Sequence, residues 1–236
     1  MPLVYQQNIN AVTKIGVWHI AEPENFFLKQ VPVQREITHW HKRLQHLAGR
    51  LLLTELFPGF PVELIQVADT RKPFLADEPF HFSISHCGDY AAAIVSREYR
   101  VGVDVELVSK KIEQVQYKFL GEEEWVVGSG QWAVGSGQLA VGSGQLAVGS
   151  GQLAVGSGQW AVGSGQWATL GWCVKESVYK WWGSGAIDFK KDIVIKNIAG
   201  DAGQGIVQCC FKNETELNVH FLHFNDNYLT WVLTDR

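Results

Sequence analysis

Hydrophobic and polar residues alternate with a period of two through much of the chain, which is typical of strands with one buried face. In the first half this alternation predicts strands over Leu3–Asn8, Lys14–Ala21, Val62–Val67, Pro79–Ser85, Tyr90–Ser96 and Arg100–Glu106. Near the end it predicts an antiparallel meander over Ile193–Ile198, Gly205–Phe211, Leu217–Phe224 and Tyr228–Thr234. Asn225-Asp226-Asn227 supplies turn residues between the last two strands.

Helical periodicity replaces the alternation in three places. The first helix is predicted from a cap at Thr38 to about Phe57, where Pro58-Gly59 ends it. Its buried stripe would be Trp40, Leu44, Leu47 and Leu51, with a solvated face at His41, Lys42, Gln45 and His46. The second helix would run from Val108 to near Trp125, and the third over Thr169–Trp182 with its end at Gly183-Ser184-Gly185. This order predicts an α+β fold of two similar lobes, residues 1–107 and 108–236.

Six copies of the heptapeptide VGSGQ(W/L)A fill Val127–Ala168. Two glycines and a serine in each copy leave little apolar surface to bury, and glycine adds to the entropy cost of ordering. We therefore expect a flexible insertion with exposed Trp132, Trp160 and Trp167. The alternative is a stacked array, as in solenoid proteins, which would make the chain a structural or interaction protein.

Net charge and cysteine spacing exclude several classes of protein. A formal net charge of −4 provides no basic face for general nucleic-acid binding. No uninterrupted apolar run could cross a bilayer, and no charged-then-apolar leader opens the sequence, so we expect a soluble, cytoplasmic protein. Cys87, Cys173, Cys209 and Cys210 follow no metal-ligand spacing and are expected to be reduced thiols.

The stretch RVGVDVE at Arg100–Glu106 carries the first candidate chemistry. If its valines enter the core, then Asp104 and Glu106 share the opposite strand face about 6–7 Å apart. Two carboxylates at that spacing suit one hard cation, and the neighbouring Gly102 leaves room for a ligand. The alternative is a solvated strand face.

Two further stretches contain candidate residues. In WCVKESVYK, Glu176 and Lys180 lie one turn apart, and burial of Val174, Val178 and Trp181 would leave Lys175 outside the core. The alternative for this helix is a surface ion pair. In FHFSISHCGDY, His86 ends a strand beside a Gly-Asp turn, where it can donate to a phosphate or be an ordinary loop residue.

Together and in this order, these stretches resemble the Sfp-type 4′-phosphopantetheinyl transferases. The matching residues are Ser85-His86, Gly102–Glu106, Trp172, Lys175, Glu176 and Lys180. Lys72 in RKPFL and Arg50 in AGRLLL match further basic positions of the family. The resemblance implies a pseudo-dimer of two α+β lobes with coenzyme A in the cleft between them.

The resemblance also implies a reaction, in which Mg²⁺ assists transfer of the phosphopantetheine arm of coenzyme A to a serine of an acyl- or peptidyl-carrier protein. Asp104, Glu106 and Glu176 would be the Mg²⁺ ligands, and Glu176 would accept the serine proton. Lys180 would hold a phosphate or assist the leaving oxygen. Arg50, Lys72, Ser85, His86 and, with a weaker case, Lys175 would bind coenzyme A.

The repeat is the departure from the family pattern, because it stands where family members carry a segment beside the carrier-docking side of the cleft. This position leaves open a catalytically impaired homologue that binds coenzyme A. The two-lobed length is otherwise that of family members that act as monomers.

Overall fold

The computed structural model describes residues 2–33, 36–129 and 164–235. It has mixed α+β structure with several sheets, as predicted. The chain divides into two compact units. Unit 1 comprises Met1–Val105, Tyr179–Gly185 and Leu233–Arg236, and unit 2 comprises Glu106–Val178 and Ala186–Val232. The lobe boundary after Leu107 and the similarity of the two lobes stay predictions.

Unit 1 contains a four-stranded antiparallel sheet in the order β1-β2-β6-β5. The strands of the first half are β1 (Leu3–Asn8), β2 (Thr13–His19), β3 (Gln66–Val67), β4 (Pro73–Phe74), β5 (His81–Cys87), β6 (Tyr90–Ser96) and β7 (Arg100–Leu107). The short strands β3 and β4 pair with each other. The predicted strand Val62–Val67 is wrong over its first part, where Val62–Leu64 forms a single 3₁₀ turn.

Two helices belong to this unit, α1 (Glu24–Leu28), which the pattern did not predict, and α2 (Trp40–Leu56). The middle of α2 is buried, with Leu47 and Leu52 fully inaccessible. The predicted stripe is wrong at its first member, because Trp40 is 64% exposed, and the predicted solvated face is wrong at Gln45 and His46, which are buried. The reason is that α2 contacts α1 as well as the sheet, so more than one face is covered. The cap is His39 rather than Thr38.

Unit 2 combines three helices with an antiparallel meander. Its elements are α3 (Lys110–Val115), α4 (Glu122–Ser129), α5 (Ser164–Trp182), β8 (Ile193–Gly200), β9 (Gln204–Phe211), β10 (Thr215–Phe224) and β11 (Asn227–Thr234). Residues 233–234 of β11 and residues 179–182 of α5 belong to unit 1. Within unit 2 the strand order is β11-β10-β9-β8. Positive φ angles of 43° at Asn225 and 59° at Asp226 confirm the predicted turn. The single helix predicted over Val108–Trp125 is instead divided into α3 and α4.

The ends of the repeat are helical, which contradicts part of the flexible-insertion prediction. Residues 127–129 complete α4, and residues 164–168 begin α5. Trp167 was expected to be exposed but is 2% exposed, and its ring lies against Gly128. The prediction failed here because an indole can be buried even when its repeat unit is too small to form a core alone. The rest of the prediction, including Trp132 and Trp160, falls on residues 130–163, outside the described residues.

We expect Gly128→Ala to lower the free energy of unfolding by about 1–3 kcal/mol, the usual cost of overpacking a core. A methyl group at this position would lie 2.2 Å from atoms of the Trp167 ring, so the ring or a helix must shift. Chemical denaturation measures the loss. Gly165→Ala is the matched control from the same repeat, because its nearest neighbour is the flexible carboxylate of Glu113 at 3.2 Å. Equal losses in both variants would contradict this packing.

All four cysteines carry free thiols, and three of them are buried. Burial raises the pKa of the Cys209 thiol well above its usual range, which keeps it protonated. Within residues 2–33, 36–129 and 164–235, no helix combines the length and the apolar character that membrane crossing needs.

Candidate active site

Strands β5 and β7 place two polar residues in the interior of unit 1. Ser85 on β5 is 5% exposed, and Asp104 on β7 is 2% exposed. The predicted accessible strand face is therefore wrong for Asp104. Asp104 is buried because polar side chains of β5 lie against β7. The Val103 amide of β7, for example, donates to the Ser83 hydroxyl of β5. A buried carboxylate needs partners, and the structure provides two of them.

Lys180, from the last turns of α5, completes a cluster with these two residues. Its Nζ lies 2.5 Å from Asp104 Oδ1 and donates to Ser85 Oγ at 2.8 Å. Ser85 Oγ in turn donates to the same Asp104 oxygen at 2.6 Å. We call this set the Ser85–Asp104–Lys180 cluster. Its three members come from separate stretches of the sequence, SISH, GVDVE and WCVKESVYK.

The second carboxylate oxygen of Asp104 sets this cluster apart from an ordinary ion pair. Oδ2 is buried and has no hydrogen-bond partner among the described residues. Leaving a charged oxygen in this state is costly unless a cation or water satisfies it. An oxygen of this kind suits Mg²⁺, which binds through one or two carboxylates and retains waters. In the described ranges no group of three or more His, Cys, Asp or Glu side chains is placed to hold a metal ion.

A cavity of about 290 Å³ in unit 1 opens beside Lys180. It is also lined by Lys72, Ser83 and Tyr179, and by Thr70 and Arg71 from the loop before β4. Burial is the main cause that lowers the pKa of Lys72 to about 8, with repulsion from Arg100 adding to it and Glu78 opposing it. Two lysines thus line one small volume, an arrangement that favours a phosphate ligand.

Glycine is required where α5 ends. Gly183 has a φ of 66°, which confirms the predicted left-handed end of the helix. A methyl group there would lie 2.3 Å from Lys72 Cδ, so the glycine also lets the lysine cross the helix end. Lys72 Nζ donates to the Trp181 carbonyl at 3.4 Å, and Arg100 donates to the Trp182 carbonyl. Two cations thus satisfy carbonyls that the helix leaves unpaired.

In unit 2, Trp172 of WCVKESVYK forms a hydrogen bond with Glu106, which is a predicted metal ligand. Trp172 Nε1 donates to Glu106 Oε1 at 3.2 Å. The indole itself packs between Phe119 and Phe189, with ring centroids 5.0 and 5.4 Å away. The hydrogen bond from Trp172 orients the Glu106 carboxylate. Glu176 is half-buried on α5.

The structure contradicts the assignment of Lys175 to ligand binding. Lys175 is fully buried, and its Nζ lies 2.7 Å from Glu124 Oε1 and donates to the carbonyls of Phe189 and Ile193. Burial lowers the pKa of Lys175, and the Glu124 carboxylate opposes that shift. With its ammonium enclosed by protein oxygens, Lys175 stabilises unit 2 instead. Glu124 was missed by sequence reasoning, because the run GEEEW looks like a solvated helix start.

Arg50 and His86, the two remaining candidate ligands, differ in exposure. Arg50 is 6% exposed on α2, where its Nη1 lies 3.1 Å from His46 Nδ1. His86 is exposed on β5, opposite Ala91 in the sheet register. The cluster described above contains neither residue. Their predicted contacts with coenzyme A stay predictions.

Comparison with known proteins gives partial matches. No protein-family model matches the chain. Enterobactin synthase component D of Salmonella austin is 37% identical over 67 residues, which are 28% of this chain and 28% of that protein. The 4′-phosphopantetheinyl transferase AcpT of Salmonella typhi is 36% identical over 67 residues, 28% of this chain and 34% of that protein. AcpT of Escherichia coli (strain K12) gives the same values. Each match thus spans about a third or less of the relative's length.

Proposed function

We propose that this chain, which belongs to the 4′-phosphopantetheinyl transferase superfamily, transfers phosphopantetheine from coenzyme A to a serine of an acyl- or peptidyl-carrier protein. The reaction would release adenosine 3′,5′-bisphosphate. Family membership rests on the three motifs together with the similarity to proteins named as such transferases. The proposed partners are coenzyme A and one carrier protein, and the proposed acting form is a monomer.

The observation that carries the proposal is the buried Ser85–Asp104–Lys180 cluster with its unsatisfied carboxylate oxygen. Such an arrangement is expensive to fold and is typical of sites where a ligand completes the bonding. Lys180 lines the 290 Å³ cavity next to Lys72, so a phosphate entering there would meet two amino groups. A phosphate ester matches this chemistry better than a neutral ligand does.

Mg²⁺ fits the chemistry of the proposed ligand set. Asp104, Glu106 and Glu176 would hold it through carboxylate oxygens, the donors that a small hard cation prefers. Trp172 already fixes the orientation of Glu106, and Asp104 offers a buried oxygen with no other described partner. When bound, the ion would neutralise negative charge that develops as the phosphoanhydride bond breaks.

The chain's own residues would supply the remaining steps. Lys180 would turn from Asp104 Oδ1 to an oxygen of the bound phosphate, since Lys180 is one of the residues that line the cavity. Glu176 would accept the proton of the carrier serine. His86 and Arg50 would bind phosphate oxygens of coenzyme A, Arg50 through its planar guanidinium.

A second candidate is a homologue that binds coenzyme A but transfers poorly. The repeat favours this reading, because its copies precede the motif helix α5 and their ends form parts of α4 and α5. One assay separates the two candidates. The protein is incubated with coenzyme A, Mg²⁺ and a panel of apo-carrier proteins, and mass spectrometry looks for the added arm. Coenzyme A binding without any modified carrier would select the impaired homologue, and no binding would reject both.

We expect Lys72→Gln to weaken binding of coenzyme A more than binding of dephospho-coenzyme A. The physical reason is that the proposed partner of Lys72 is the 3′-phosphate, which dephospho-coenzyme A lacks. Titration calorimetry with both ligands measures the difference. Lys14→Gln is the matched control, because its ammonium lies over the Phe57 ring, 4.9 Å from the centroid, and does not line the cavity. Equal weakening of both ligands would assign Lys72 to the diphosphate or to the helix end.

A further inference from the structure

A second and larger cavity, of about 570 Å³, lies in unit 1. It shares Lys72, Pro73, Phe82 and Gly183 with the smaller cavity. None of the Ser85–Asp104–Lys180 cluster lines it. Most of its lining residues thus differ from those of the smaller cavity, while the shared Lys72 is also the proposed partner of the 3′-phosphate of coenzyme A.

Aromatic rings form much of its wall. Phe80, Phe82, Trp181 and Trp182 all line the cavity. The guanidinium carbon of Arg100 lies 5.0 Å from the ring centroid of Trp181 and 5.4 Å from that of Trp182. Flat apolar ligands gain both burial and stacking energy against such rings. A guanidinium held at the rings leaves a cation beside any ligand that stacks there.

The charged groups of the cavity are arranged unevenly. Lys72 and Arg100 are part-buried, whereas the two carboxylates of the lining, Glu78 and Asp235, are exposed. The two cations repel each other, and burial together with this repulsion lowers the pKa of Lys72. Burial also lowers the pKa of Arg100. The Glu78 carboxylate opposes both pKa shifts, and a further anion near the two cations would add to this stabilisation.

We propose that the 570 Å³ cavity is a second binding site, for a flat aromatic anion such as an aryl carboxylate. The ring would lie against the aromatic wall next to Arg100, and the carboxylate would pair with the Arg100 guanidinium. The walls of this site contain neither the candidate Mg²⁺ ligands nor Lys180, and of the residues proposed for transfer they include Lys72.

The probe for this proposal is 2-naphthoate, compared with 2-naphthalenemethanol, which has the same rings but no charge. Titration calorimetry on the full chain is expected to show that the anion binds at least about tenfold more tightly, as a charge-assisted bond to Arg100 requires. Arg100→Gln should abolish that difference, and Arg100→Lys should retain most of it. Arg97→Gln is the matched control, since Arg97 lies over Phe57 and Phe80 and does not line the cavity.

Three results would overturn the proposal. One is equal affinity for the anion and the alcohol in the unmodified protein, a comparison that needs no variant to fold. Another is unchanged naphthoate affinity in a folded Arg100→Gln variant. The third is full displacement of naphthoate by coenzyme A, which would make the cavity part of the coenzyme A site. Naphthoate binding in the presence of saturating coenzyme A supports a separate site, whether or not the carrier assay detects transfer.

Discussion

Lys175→Met is expected to lower the free energy of unfolding by about 3–5 kcal/mol, the range found when one partner of a buried ion pair is removed. Methionine fills a similar volume, so packing changes little. The loss arises because Glu124, 2% exposed, would keep a buried charge without its cation. The carbonyls of Phe189 and Ile193 would lose a donor as well. Denaturant unfolding followed by circular dichroism measures the change.

Lys191→Met is the matched control for this variant. Its ammonium lies 3.7 Å from Asp188, and its side chain is 81% exposed, so the pair contributes well under about 1 kcal/mol. A small change in both variants would contradict a buried pair at Lys175. A loss in Lys175→Met with none in Lys191→Met would support it.

A double-mutant cycle extends the same test to Glu124. Its two oxygens also accept from the backbone amides of Gly121 and Ile195, at 2.5 and 2.8 Å. Glu124→Gln therefore disturbs three structural elements at once. We expect Glu124→Gln with Lys175→Met to cost clearly less than the sum of the two single changes, because the charges depend on each other. Additive losses would show that each residue acts through separate contacts.

Alternation predicts strand positions where one face of a strand is covered, as in β10, whose residues Leu217, Val219 and Phe221 are buried. The bounds of β1 and β6 match the prediction at every residue. What alternation could not show is whether the second face is also covered. Asp104 and Ser85 occupy positions that a one-sided sheet would expose, yet both are buried. Whether these positions are buried depends on contacts with side chains that lie far away in the sequence, such as the contact between Asp104 and Lys180.

In helix α5 the sequence pattern indicates that a residue is buried but does not identify its partner. The apolar positions Gly171, Val174 and Val178 mark a buried stripe, and Lys175 lies within it by spacing. That spacing was the available signal that Lys175 is not on the outer face. Its partner could not be inferred, since Glu124 is one of three consecutive glutamates and lies on a different helix.

The candidate site was predicted as a set of residue types rather than as a geometry. Motif order placed Ser85, Asp104 and Lys180 in the site, and the structure brings these three together. The motif gave no indication that Lys180 binds Asp104 itself. Nor did it indicate that Trp172 orients Glu106.

Asp104→Asn is expected to lower phosphopantetheine transfer by at least about a hundredfold, because it removes both a proposed metal ligand and the counter-charge of Lys180. Asparagine has nearly the same shape and can still accept the hydrogen bond from Ser85. The fold should therefore persist, and the buried oxygen that now lacks a described partner would lose its charge. Transfer is measured by mass spectrometry of the carrier protein across a range of Mg²⁺ concentrations.

Glu98→Gln is the matched control, because it removes a carboxylate from an exposed position two residues before β7 without touching the cluster. It should transfer normally at every Mg²⁺ concentration. Circular dichroism on both variants separates lost chemistry from lost structure. Near-normal transfer by folded Asp104→Asn at limiting Mg²⁺ would reject the proposed role of this carboxylate. In that outcome the buried Asp104–Lys180 pair would be a structural ion pair, and the metal ligands would have to be sought elsewhere.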